Sequence, residues 1–392
     1  MQDLYNTIQN RIDDELDDLF VIARFLYENP ELGNEEYKAH KILTETLRGR
    51  GFTIDDKFCG FPTAFRATCD SGKPGASIAY FCEYDALPDI GHGCGHNLIC
   101  TMSLGAAFGL QAVLDRIGGR IVVFGTPAEE TFGAKVAMAD QGVFDDMTVG
   151  IMTHPNGVTR ESGPSMALRP LIVSYTGRAA HASMAPEAGI NALDALILFY
   201  NGVNALRQHV TRDVQFHGII SAGGVAPNIV PEYAEARFYI RAANMANLTR
   251  AVERFKECAE GAARMTGAAL TIKPFQTAYA DMVTNQPLSA VYNKHLSDLG
   301  ETILPGETGG SIDMGNVSHR IPSVHGWLGF GDPNLILHSK AFAERTITSH
   351  GKALLRRGAL AMAFTGYDVI ESKELQQQIA YNTFFPPETD RV

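Results

Sequence analysis

Apolar positions at helical spacing open the chain. Leu4, Ile8, Ile12, Leu16, Leu19, Ile22, Ala23 and Leu26 recur among Asp, Glu and Arg, which predicts an amphipathic helix over 3–28 with one face on a core. The run NPELGNEE supplies a turn, and 35–50 reads as a second helix stopped by Gly51. From Phe52 to about Gly157 short apolar runs alternate with helical stretches, the form of a parallel α/β sheet. The expected strands are 77–83, 120–125 and 149–153, with helices over 98–114 and 131–139. Each strand ends in a polar turn: Asp85 and GHGCGHN after the first, Pro127-Ala128-Glu129-Glu130 after the second, His154-Pro155 after the third. Open α/β sheets hold their sites at the carboxyl ends of strands, so the three turns should converge on one crevice.

After about Met166 the texture changes. A strand over 171–175, a loop TGRAAHASMAPEAGINA, a helix over 191–206, strands over 215–222 and 232–242, a helix over 248–266 and a strand over 270–275 follow in turn. That β-α-β-β-α-β order is the ferredoxin-like split unit, two helices on one face of an antiparallel sheet. It is expected as an insertion at 167–280 between two parts, 1–166 and 281–392, of one α/β domain. The second part holds a Gly-rich run (PGETGGSIDMGNVSHRIPS), a strand over 322–326, the turn LILHSKAF and a helix over 349–365, while 371–392 shows no pattern that assigns it. The fold class expected is thus α/β: a mixed, mostly parallel sheet forming a catalytic domain, with an inserted ferredoxin-like α+β lid or dimerisation domain.

Length agrees, since 392 residues exceed what one core usually serves. A net charge of −11 with no basic stripe argues against a nucleic-acid or anionic-membrane partner. The N-terminus lacks the basic start and apolar core of a secretory signal, and no apolar run reaches the roughly 20 residues that span a bilayer. Six cysteines without a paired framework or a CxxC fit reduced thiols, so a cytoplasmic location is expected.

The strand-end turns carry the chemistry. Cys94 and His96, two residues apart, can chelate a borderline-soft ion such as zinc, and Glu130, His154 and His338 lie in turns after other apolar runs. Taken singly, Cys94 reads equally as a small buried hydrophobe and His96 as a cap. Adjacent carboxylates cannot easily serve one ion, so of Glu129 and Glu130 one should bind metal while the other takes a proton from water acidified by it. The plainer alternative is an acidic pair opening a helix. Asp85 is placed to hold the imidazole of His96 from behind.

Several ordered motifs together resemble one family. EYDALP, GHGCGHN, PAEE, the His154-Pro155 turn, GRAAHASMAPEAGINALDA, GGVAPNIVPEYAEARFYIR, GGSIDMGNVS and the late His338 span nearly the whole chain. They resemble the zinc amidohydrolases of the aminoacylase and carboxypeptidase superfamily, in the branch of hippurate hydrolase, indoleacetyl-amino-acid hydrolases, p-aminobenzoyl-glutamate hydrolase and β-alanyl-lysine dipeptidases. The resemblance implies Cys94, His96, Glu130, His154 and His338 as metal ligands for one or two zinc ions, with manganese or cobalt as alternatives and Cys94 as the bridge between two. It implies Glu129 as general base, His181 as a lid-domain donor to the oxyanion that reaches a neighbouring subunit's site, and Asn228, Arg241 and Ser311 as substrate-binding residues. It implies a hydrolase that frees an amino acid from an N-acyl amino acid or a p-aminobenzoyl-glutamate-like amide, working as a homodimer or higher homo-oligomer through the lid. A dipeptidase on short peptides, or a non-catalytic subunit of a hetero-oligomer, are the rivals. Many relatives carry Asp after CGH where this chain has Asn97, read as the loss of a charge beside the metal. Glu83 stands where distant relatives place a metal histidine, and neither it nor His92 is given a role.

Overall fold

The computed structural model describes residues 2–307 and 310–384. Among them the chain divides into two compact units, one of 2–164, 282–307 and 313–384, the other of Ser165–Asp281 with Gly310–Ile312.

The larger unit opens with α1 (Gln2–Glu28) and α2 (Tyr37–Gly49), continues through β1 (Thr53–Asp56), β2 (Phe65–Asp70) and β3 (Ser77–Cys82), and then α3 (His96–Ile117), β4 (Arg120–Gly125), α4 (Ala134–Asp140) and β5 (Val149–Asn156). The smaller unit is β6 (Ala167–Thr176), α5 (Ala192–Leu206), β7 (Gln215–Ala222), β8 (Tyr233–Ala242), α6 (Met245–Thr266) and β9 (Ala269–Pro274). The larger unit resumes with α7 (Gln286–Asp298), α8 (Met314–Ser318), β10 (Ser323–Gly329), α9 (Lys340–Thr346), α10 (Ser349–Glu371) and α11 (Lys373–Phe384). Helix α11 covers part of the C-terminal stretch that the sequence left unassigned.

Six strands form the larger sheet in the order β1-β2-β4-β3-β5-β10. The last four are mutually parallel, and β1 and β2 are antiparallel additions at one edge. The parallel strands are continuous apolar runs because both faces are covered; β3 is buried from Ile78 to Cys82. The β1–β2 hairpin was not anticipated. Its outer strand, Thr-Ile-Asp-Asp, is almost wholly exposed, and an edge strand facing water leaves no alternation to read.

Helix α3 is apolar all round and buried without interruption from His96 to Leu110. By length and composition it could cross a bilayer, contrary to the sequence expectation, yet 89% of its most apolar window is buried inside the protein, as in a core helix. It packs against α1 and α10 through glycines. A Cβ on Gly105 would sit 2.9 Å from Ala359 Cβ and 3.1 Å from Leu19 Cδ1, so the absent side chain sets how closely three helices approach.

In the smaller unit the sheet order is β7-β8-β6-β9, entirely antiparallel. Helices α5 and α6 cover one face over a core of Phe199, Phe216, Phe238 and Phe255. The rings of Phe199 and Phe255 meet edge-on at 5.0 Å, those of Phe238 and Phe255 at 5.1 Å. The order β6-α5-β7-β8-α6-β9 is the ferredoxin-like unit expected from the sequence.

Gly105→Leu should overpack this three-helix contact and lower stability by about 1–3 kcal/mol, read as a lower urea midpoint at an unchanged denaturant slope. A variant as stable as the wild type would show that the helices part without cost.

Candidate metal centre

The carboxyl ends of β3 and β4, the last residues of β5 and the loop before α9 supply one cluster of side chains. Glycines bring these turns together: a Cβ on Gly93 would lie 3.3 Å from the Ser339 carbonyl oxygen, and Gly95, left-handed at φ 80°, packs against Pro155 and Phe342. The His338 amide donates to the Gly93 carbonyl at 2.9 Å, tying two of the turns directly.

At the centre lies the Cys94 thiol. His154 Nε2 and His338 Nε2 each stand 3.4 Å from its sulfur. That spacing is close to the roughly 3.5 Å separating sulfur and nitrogen on one tetrahedral zinc ion. His154 Nδ1 donates to its neighbour's carbonyl, Pro155 O, at 2.7 Å, so the Nε2 lone pair is the one turned toward the sulfur. His96 follows the same rule: Nδ1 lies 2.9 Å from the Asp85 carbonyl and 3.0 Å from Asp85 Oδ1, leaving Nε2 aimed into the cluster. Asp85 also accepts from the Glu130 amide at 3.0 Å, so one carboxylate fixes two of the turns.

Three overlapping groups result, Cys94 with His96 and His154, Cys94 with Glu130 and His338, and His96 with Glu129 and Glu130, each with ligand atoms within 4.8 Å of one another. His96 Nε2 and Glu130 Oε1 are buried with no well-formed hydrogen bond, their neighbours being Glu83 Oε2 at 3.5 Å and His338 Nε2 at 3.3 Å, an arrangement that a cation between them would complete. The residues present therefore fit two divalent ions sharing Cys94, and all five expected ligands are brought together.

The charges are mutually adjusted. Burial works against ionisation of Asp85, but the charge and hydrogen bond of His96 outweigh it and hold the carboxyl below its usual range. Burial likewise opposes charge on His96, and Asp85 and Cys94 reverse that, raising its pKa well above normal. Burial, helped by the charge of His96, pushes His154 down to about 4, and burial pushes the Cys94 thiol well up. The partly exposed Glu129 is pushed well up by burial and then by Glu83, Asp313 and Glu130. Glu130 lies low because His338 and His96 overcome its burial.

Other expected residues lie elsewhere. His181 and Asn228 occupy two paired loops of the smaller unit, where the Ala182 amide donates to the Asn228 carbonyl at 3.0 Å. The Ser183 amide reaches His181 Nδ1 at 3.4 Å, which leaves Nε2 as the protonated, donating nitrogen. Arg241 forms a separate pair with Ser311, Nη1 to Oγ at 3.3 Å. His92 is buried, and burial pushes it down to about 3.

Sequence reasoning missed two neighbours of the cluster. Glu36, wholly buried, accepts from the Ala128 amide at 2.9 Å and from Thr63 Oγ1 at 2.8 Å, pinning a residue held left-handed at φ 60° just before Glu129. Lys135, also wholly buried, bonds Glu83 and Asp313. Its signal was available, as the only Lys or Arg between Arg120 and Arg160.

The comparisons with known proteins point the same way. Residues 171–265, from β6 to α6, match the model of a peptidase dimerisation domain. Mouse Xaa-Arg dipeptidase is 35% identical over 379 residues, covering 92% of this chain and 87% of that protein. The chain belongs to the M20 peptidase family. One subunit of the p-aminobenzoyl-glutamate hydrolase of Escherichia coli K12 is 32% identical over 76% of this chain and 66% of its own length. A dinuclear metal-binding peptidase of the M20 family from Bacillus subtilis shares the fold, with a TM-score of 0.66, 18% identity, and coverage of 91% of this chain and all of the other. Membership makes this M20 chain an amide-bond hydrolase, in a family whose enzymes depend on metal.

Asn97 needs correcting. Its side chain turns away from the metal cluster: Nδ2 donates to the Ala23 carbonyl at 3.1 Å and to Thr346 Oγ1 at 3.0 Å, while Thr346 spends its own proton on the Ala343 carbonyl. An aspartate here would meet two acceptors and no donor. Asn97→Asp should therefore cost about 1–3 kcal/mol, seen as a lower melting temperature with metal content unchanged. Loss of metal without loss of stability would restore the reading that this position acts on the ion.

Proposed function

We propose that this chain is a zinc hydrolase that frees an amino acid from an N-acyl amino acid or a p-aminobenzoyl-glutamate-like amide, acting in the cytoplasm as a homodimer. The observation that carries the reading is the Cys94 thiol, within 3.4 Å of two imidazoles and beside the Glu129–Glu130 pair. Cys94, His96, Glu130, His154 and His338 would hold the metal, and thiol with imidazole favours zinc over harder ions. Zinc there would polarise an amide carbonyl and acidify water.

Glu129 would take the proton of the attacking water and return it to the departing amine nitrogen. Its raised pKa suits both steps, since the carboxyl holds a proton more readily than a solvated one does. His181, with Nε2 as donor, would stabilise the oxyanion. Arg241, steadied by Ser311, offers the fork that fits a carboxylate, and Asn228 a neutral amide to the substrate. The dipeptidase reading shares every one of these roles and differs only in the acyl side. What favours it is the 35% identity to a dipeptidase across most of the chain. Retention of both the ligand set and Glu129 weighs against a non-catalytic subunit.

Support for self-association comes from the smaller unit. Its edge strand β7 exposes consecutive apolar residues, Ile219 (64% exposed) and Ile220, and the loop after it exposes Val225 (91%). An unpaired apolar edge invites pairing with a second copy.

Glu129→Gln should lower kcat by about 100-fold or more with metal retained, measured on N-acyl amino acids, p-aminobenzoyl-glutamate and dipeptides. Unchanged turnover would refute its role. If His181 acts across the dimer, mixing His181→Ala with Glu129→Gln chains should restore activity, because a mixed dimer holds one site with both wild-type residues. Verified subunit exchange without rescue would place His181 in its own chain's site.

A further inference from the structure

Lys135 is the buried charge that the chemistry above leaves unused. It lies in the first turn of α4, wholly inaccessible, with Nζ 2.6 Å from Glu83 Oε1 and 2.7 Å from Asp313 Oδ1. Carboxylate oxygens of Glu83, Glu129 and Asp313 lie within 4.8 Å of one another, a spacing that suits a divalent ion. Asp313 Oδ2 is buried there without a hydrogen-bond partner. This acidic pocket adjoins the Cys94 cluster, since Glu83 Oε2 stands 3.5 Å from His96 Nε2 and Glu129 precedes Glu130 in the chain.

Three carboxylates at that spacing need a cation between them, and two kinds could serve. A divalent ion would coordinate all three oxygens and withdraw the basicity of Glu129. A tethered ammonium neutralises charge by hydrogen bonding, cannot exchange with solvent ions, and forms no coordinate bond to Glu129. The chain supplies the second.

We propose that Lys135 is a positioning residue whose ammonium stands in the place of a divalent ion among Glu83, Glu129 and Asp313, confining metal to the Cys94 cluster and keeping Glu129 out of coordination. This rests on the reading of Glu129 as the proton acceptor. It also divides the roles of Glu83, whose Oε1 is committed to Lys135 while Oε2 faces His96 Nε2 at 3.5 Å.

The test compares the full-length wild type with Lys135→Met, Lys135→Arg and Lys135→Met/Asp313→Asn, each stripped of metal and reloaded with manganese(II). Ions per folded chain are counted by native mass spectrometry and elemental analysis. Lys135→Met should hold one ion more than the wild type, and kcat should fall by about 100-fold as Glu129 is drawn into coordination. Lys135→Arg keeps the charge and should keep the wild-type count, and the double variant, short of one carboxylate, should return to it. If Lys135→Met folds poorly without metal, refolding yield with and without manganese replaces the count, and rescue by manganese is expected. An unchanged count, or refolding that manganese does not improve, overturns the proposal, as does a gained ion in Lys135→Arg. Because every count is relative to the wild type, this result stands apart from turnover; a wild type without hydrolytic activity would sink the functional reading and leave the difference in ion count intact.

Discussion

Negative charge brought together at the ends of parallel strands is the constraint on which the rest of the larger unit depends. Glu83 and Asp85 follow β3, Glu129 and Glu130 follow β4, and Asp313 opens α8. Taken from water without partners, such carboxylates would cost several kcal/mol each. Their partners account for much of the local architecture. Asp85 is balanced by His96, Glu130 by His338, and Glu83 and Asp313 share Lys135. Each partner arrives from a different segment, so the charges lock together turns that the sheet only brings near. Helix α3 serves the same end: its apolar body fixes the direction in which His96, its first residue, faces the cluster.

Much of this was legible in the sequence where physics makes a local pattern. Strands β3, β4 and β5 showed as apolar runs because they are covered on both faces, and the rule that parallel sheets bind at their carboxyl ends then located Cys94, His96, Glu130 and His154. What escaped was non-local. Lys135 meets Glu83 and Asp313 across 52 and 178 positions, and although it is the lone basic residue between Arg120 and Arg160, a lysine is exposed so commonly that its isolation does not name its buried partners. Asn97 was misread for a geometric reason. Neighbouring residues in a helix point about 100° apart, so when His96 faces the metal cluster Asn97 faces α1. Adjacency in sequence to a ligand implied nothing about adjacency in space.

The run GGSIDMGNVS shows how one short motif can serve two folding units. Ser311 belongs with the smaller unit and contacts Arg241, whereas Asp313 belongs with the larger and contacts Lys135. A single residue separates the hydroxyl that meets Arg241 from a buried charge partner. A motif read as a single functional element is thus two, with different demands: the serine needs only a small polar side chain near Arg241, while the aspartate must be a carboxylate of fixed reach.

Metal and protons compete at the centre of this arrangement. Burial holds the Cys94 thiol well above its ordinary pKa, and Asp85 and Cys94 raise that of His96, so both would give up a proton on binding an ion. His154 has been pushed the other way, to about 4, and presents a lone pair throughout the neutral range. One preformed ligand beside two that must lose protons makes metal affinity rise with pH. The surrounding fold has therefore prepared direction more completely than charge: carbonyls aim the imidazoles of His96 and His154, and the last adjustment of protonation is left to the metal itself.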